Sequence, residues 1–265
     1  MNPLRTRLAA AALGAGLVIA APAAAWAGPL RSTSSTSSPT ASAPADSTRL
    51  TIDDLRTKCL AAIDVRLPAL ASAKADVTAN PHLTDADRAA LTGDIDQTTA
   101  RLQTLRGEIQ GDTTLATLRD HCRSIFQDNR VFALVLPRTR LVVGADTATA
   151  AGGKLTDIAH KLADAIAKAQ AAGRDVTQAQ ADLDAMKAQF ASGVAAAGTV
   201  AGSVLGLTPA DWNANHDVLT PARQQLRVAR TDLKVARDLA VKIRNELRTP
   251  ATSTPTPAPA GSPQV

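Results

Sequence analysis

Eight basic residues stand against four acidic ones between positions 217 and 248, and their spacing is regular. Arg223, Arg230, Arg237 and Arg244 recur every seven residues, and Arg227, Lys234 and Arg248 share a second heptad position beside them. On a helix this spacing collects the seven cations along one flank. A linear cationic flank suits a repeating anion, such as a cell-wall polyphosphate or a layer of lipid headgroups. The ordinary alternative is that such arginines pair with acids on neighbouring helices, as in many coiled coils. The preceding helix offers no acid between Asp184 and Asp211, although Asp146 and Asp157 could reach the flank from elsewhere.

The remaining reactive side chains are dispersed. The four histidines, His82, His121, His160 and His216, form no His-x-x-x-His or His-x-x-Glu unit, so no metal and no cofactor is expected. His121 and Cys122 are neighbours in sequence but would point about 100° apart on a helix. There is no Gly-x-Ser-x-Gly or Ser-x-x-Lys, Gly152-Gly153-Lys154 lacks the strand and spacing of a phosphate loop, and Asp182 and Asp184 face different directions. No catalytic residue is assigned, and the expected class is non-enzymatic; an enzyme whose site the fold assembles ranks third. Tyr is absent and there are only three Phe and two Trp, so a base-stacking nucleic-acid surface is not expected.

Two features bear on structure. An even cysteine count in an exported chain predicts a disulfide. Cys59 lies about 22 residues before a turn at Pro81, and Cys122 about 10 residues after a turn at Asp112. Projected on the helix between, both fall near residues 102–103, so a Cys59–Cys122 bridge is expected over two unpaired buried thiols. The stretch from Ala188 to Ala210 is uncharged and carries Gly198, Gly202 and Gly206 four residues apart, a row that lets helices approach closely. It is poor in large apolar residues, so packing within the bundle or against a second copy is expected rather than a membrane span. An anionic polymer or another protein is therefore the expected partner.

The positioning elements come next. Residues 1–27 have the Arg5/Arg7 n-region, a short apolar stretch and Ala25-Trp26-Ala27 of a cleaved secretory signal, which predicts an extracellular or envelope location. Without those two arginines the net charge of +5 falls to +3. Residues 28–49 and 249–265 are Ser/Thr/Pro/Ala-rich and are expected to be disordered.

Between them the apolar periodicity is helical. Leu60, Ile63, Leu67, Leu70 and Val77 trace a seam over about 51–79, with Pro68 expected to kink it; Thr84 with Asp87 caps a second helix cored by Ile95, Thr98, Leu102, Leu105 and Ile109. Leu115, Leu118, Cys122 and Ile125 mark a third. Val131–Leu136 reads as a helix end and buried linker that Pro137 breaks or bends. Three longer helices follow: one through Leu155, Ile158, Leu162, Ile166 and Ala169; one opened by a Thr177/Gln180 capping box and running through Ala179, Leu183, Met186 and Phe190; and one through Leu219, Ala222, Leu226, Ala229, Leu233, Ala236, Ala240, Ile243 and Leu247. Trp212 is expected to staple the entry to the last. The fold expected is all-α: an elongated antiparallel bundle of two three-helix units, residues 50–136 and 137–248.

The phrases HLTDADRAALTGDI (82–95), DTTLATLR (112–119), RVFALVLPRTRLVVGAD (130–146) and LTPADWNANHDVLTPARQQLR (207–227) resemble those of exported, Ala-rich helical proteins of high-GC Gram-positive bacteria. Near the exit of the third helix, where that pattern has Tyr, this chain has Asn129 and Phe132. The resemblance implies a helical fold and an exported location, and it implies no activity.

Overall fold

Threonines start the first helices. In the computed structural model, which describes residues 51–249, Thr51, Thr84 and Thr114 each adopt extended backbone. Their hydroxyls accept the N–H of Asp54, Asp87 and Thr117, satisfying a donor that a helix start leaves orphaned. The helices they open are α1 (Ile52–Ala79), α2 (Asp85–Gly111) and α3 (Leu115–Gln127). No strand occurs among the described residues, and the signal, linker and most of the tail fall on residues 1–50 and 250–265, outside them.

These three helices pack up-down-up. Lys74 pairs with Asp96 at 2.7 Å and Arg106 with Asp64, which fixes the antiparallel register of α1 and α2. Ile63, Leu70 and Val77 meet Ile95, Leu102, Leu105 and Ile109 in the core, joined by Leu118 and Ile125 from α3. The α2 seam is buried as its heptad spacing predicts, Thr98 included. On α1 the seam is displaced: Leu60 and Leu67 are half-buried at its edge, and Cys59 takes the inner position. Cys59 and Cys122 form a disulfide between α1 and α3 with their Cα atoms 5.5 Å apart. The helix runs through Pro68 without interruption.

Past α3 the structure corrects the expected linker. Arg130 takes a left-handed conformation (φ 37°), and Val131–Val135 then form a π-helical turn that passes directly into α4 (Leu136–Ala171). Pro137, the second residue of α4, does not break the helical run: it follows directly on the π turn, where the hydrogen-bond ladder is already irregular. Helix α4 first runs antiparallel to α2 and alongside α1. Arg138 reaches Asp94, and one turn-pair later Asp146 Oδ2 accepts the Thr84 N–H at 2.9 Å. It then continues as the first member of a second group with α5 (Thr177–Gly198) and α8 (Thr220–Arg248). The short helices α6 (Val200–Val204) and α7 (Pro209–Ala214) join α5 to α8. The helix that begins at Leu136 is thus shared by both groups, and the described residues cluster as one compact unit.

Two further expectations change. Thr177 is the first residue of α5 and makes no capping box with Gln180; Asp175 Oδ1 accepts its N–H at 3.0 Å instead. Ile158 is exposed and Ala159 takes the buried place between Leu155 and Ile166, so the apolar run of α4 is rotated from the one its large residues suggest.

Arginines finish the helix ends. Arg56 donates to the Ile109 and Asp112 carbonyls that end α2, Arg88 to those of Val77, Thr78 and Asn80 that end α1, and Arg174 to those of Glu246, Leu247 and Thr249 that end α8. Each brings a cation to the negative end of a helix dipole and pairs its orphaned carbonyls. Arg138, 3% exposed, does the same at the joint between the groups, bonding Asp94 and the Leu205 and Leu207 carbonyls.

Candidate anion-binding face

Helix α8 is cored as its sequence predicts: Leu219, Ala222, Leu226, Ala229, Leu233, Ala236, Ala240 and Ile243 are all buried. The two flanks of this seam carry different charge. On the flank toward α5, polar groups are paired: Ser192 donates to Asp232 at 2.7 Å, and Lys242 bridges Asp182 at 2.7 Å and Glu246 at 3.7 Å. The Lys242 hydrogen bond holds the Asp182 carboxyl below its ordinary value, against the opposing effect of burial, and the same bond raises Lys242.

On the flank toward α4 stand Arg223, Arg230, Arg237 and Arg244, with Arg227, Lys234 and Arg248 one position further out, all exposed. Lys234 pairs with Asp238 on its own helix at 2.8 Å, and none of the six arginines makes an ion pair with a carboxylate of the described residues. The two acids that could have reached them do not. Asp146 is turned toward Thr84, its carboxyl raised by burial, and Asp157 is exposed and forms no ion pair among the described residues.

A shallow groove of about 480 Å³ follows this flank, walled by Arg223, Arg227, Arg230 and Lys234 over an apolar floor of Leu141 and Leu226. Arg230 also borders two further concavities, of about 340 and 500 Å³. It can do so because position 144 is glycine: a Cβ there would stand 2.9 Å from the Arg230 guanidinium and from Leu226. Guanidinium groups unpaired by carboxylates and spaced along a helix can each take two oxygens of a phosphate. The sequence showed the row of cations but not Gly144, which the packing of α4 against α8 brings to it.

The other candidates separate. Gly198 ends α5, Gly202 lies in α6 and Gly206 in the turn after it, so they do not line one helix, and no atom lies within 4 Å of a Cβ placed at any of them. Close helix packing falls instead to Gly152, facing Val194, and Gly193, 3.0 Å from the Ala229 carbonyl oxygen by the same measure. His82, His160 and His216 are exposed and far apart in the fold, while His121 Nδ1 lies 3.0 Å from Asp112. No group of three His, Cys, Asp or Glu that could hold a metal ion occurs among the described residues. Trp212 of α7 packs against His216 with the two rings tilted at 46° and their centroids 5.7 Å apart, before α8 begins. The disulfide fits an oxidising environment, and no helix of the described residues is long and apolar enough to cross a membrane. Comparison of the chain with protein-family models, with curated proteins and with solved structures finds no match.

Proposed function

We propose that this chain is an exported, non-enzymatic structural or binding protein of the cell envelope, which holds an anionic polymer along α8. One observation carries the reading: six arginines share an exposed flank without a carboxylate partner among the described residues, while the opposite flank of the same helix is paired. Charge left open in this way attracts a polyanion at long range and releases it as salt rises. The secretory pattern at the N-terminus, the disulfide and the resemblance to exported helical proteins support the compartment.

The test is co-sedimentation of the protein with purified cell walls and with anionic vesicles across a salt series, beside an Arg223/Arg230/Arg237/Arg244→Gln variant. Salt-sensitive binding that the variant loses is expected; equal sedimentation of both proteins would defeat the reading. A second reading, self-association, draws on the open surface around Gly198, Gly202 and Gly206. A sedimentation-velocity run that finds a dimer converted to monomer by Gly202→Leu would favour it.

A further inference from the structure

We propose that the 500 Å³ groove between α1 and α4 is the seat of an acyl chain, and that the anion drawn to Arg230 is the phosphate head of a single-chain lipid. The inference deepens the reading of α8 as an anion-binding face and rests on it. The geometry that points here is that the charged residues of the groove all lie at one end. Since Arg138 meets Asp94 and Asp146 meets Thr84, α4 runs parallel to α1, and positions along the groove can be ordered. At its lower end lie Ala69, Ser72, Ala73, Phe132 and Leu136, with no charged side chain among them. At its upper end Arg140, Gly144 and Arg230 lie beside Val77 and Val143, with Asp76 on the α1 rim.

The lower end is uncharged and open. Phe132 is 48% exposed, and Phe126 beside it 47%. One face of Phe132 lies over the Arg66 guanidinium, 5.3 Å from the ring centroid, which Phe126 covers at 4.5 Å from the other ring. That cation keeps Phe132 at the groove wall and away from the core. At the upper end Arg140 and Arg230 are exposed, and neither forms an ion pair with Asp76 or any other acid among the described residues. A concave site of some hundreds of Å³, mostly apolar with a few convergent polar groups, is the usual form of a small-molecule site. A molecule with an apolar tail and an anionic head matches this one end to end. A bare polyanion uses the Arg230 end and leaves the Phe132 end wet.

The experiment uses the full chain and three probes in titration calorimetry: lysophosphatidylglycerol below its micelle concentration, the same head group without a chain (glycerophosphoglycerol), and polyphosphate. Two variants accompany the wild type. Ala73→Trp fills the groove, and Arg140→Gln removes a head-group cation that is not part of the α8 row; circular dichroism and thermal melting establish that both are folded. The expected result is lysolipid binding at least tenfold tighter than that of the chainless head, lost in Ala73→Trp and weakened about tenfold in Arg140→Gln, with polyphosphate binding to both variants unchanged. Arg140→Gln, on an exposed side chain, keeps the test valid should Ala73→Trp misfold. If polyphosphate binds but the lysolipid gains nothing over its head group, or both variants bind lysolipid as wild type does, the groove is overturned and the α8 reading stands. If the lysolipid binds through the groove and polyphosphate does not bind, the polymer reading falls and the groove stands. Binding of no probe overturns both.

Discussion

Arginine does two different jobs in the two halves of this molecule. In the α1–α3 half most arginines are engaged: Arg56 and Arg88 close helix ends, Arg106 and Arg123 pair with Asp64 and Asp120, and Arg66 is covered by two phenylalanines, while Arg101 and Arg119 stand exposed and apart from each other. On α8 six arginines stand exposed with no carboxylate against them among the described residues, although Asp182, Asp232 and Glu246 are paired on the other flank of the α5–α8 interface. The difference teaches that a high local charge is informative only after its partners are located. A guanidinium bonded to carbonyls supports the fold, and one left in solvent is free to hold something else.

The largest effect that would break the comparison is on the stapled half. Replacing Cys59 and Cys122 by Ala opens a loop with a sequence separation of 63 and should lower stability by about 4 kcal/mol in the chain-entropy account. Denaturant unfolding checks the loss, and polyanion binding by the still-folded variant should be unchanged. Arg138→Met comes next. It leaves the partly exposed Asp94 and the Leu205 and Leu207 carbonyls without their cation, which should cost about 1–3 kcal/mol. A drop in melting temperature with no change in polyanion affinity would mark Arg138 as structural.

Acid sharpens the contrast within α8. Asp182 has a depressed carboxyl in the folded state because Lys242 donates to it. Its contribution to stability is therefore complete above the ordinary carboxylate value and lost as pH falls through the lower folded one. Lys242, raised by the same pairing, contributes below its ordinary value and loses that contribution as pH rises through the higher folded one. Asp182→Asn should thus flatten the acid limb of a melting-temperature profile. The smallest effect separates the glycines: Gly152→Ala must displace Val194 and should cost about 1–3 kcal/mol, whereas Gly202→Ala meets open space and should be neutral or stabilising by up to about 1 kcal/mol. Thermal melts of the two variants side by side decide it.

The helices and the disulfide were legible because they depend on spacing alone. Alternating steps of three and four placed every buried residue of α8 from Leu219 to Ile243, and counting residues from two turns put Cys59 level with Cys122. The start of α4 was not legible. Pro137 reads as a breaker unless the helix is known to begin beside it, and the π turn before it carries no distinctive pattern. Ile158 misled because a large apolar residue outweighs Ala159 in any count of hydrophobicity, yet the close packing of α4 with α5 and α8 selects the smaller side chain. At the candidate site the cationic row could be read, but its freedom from partners could not. Whether Asp146 faces Arg223 or Thr84 depends on how α4 lies against α2, a contact between residues 62 apart in the chain. The arginine caps and the role of Gly144 are hidden for the same reason.

The most direct test of the account is a pair of charge-matched variants measured against polyphosphate at low and moderate salt. One carries Gln at Arg223, Arg230, Arg237 and Arg244; the other carries Gln at Lys58, Arg101, Arg119 and Arg123, four exposed cations of the first half. Both lose the same net charge. The account predicts that the α8 variant loses most of its affinity and its salt dependence while the other keeps both. Equal loss in the two variants would contradict it, since net charge rather than an open flank of α8 would then be what binds.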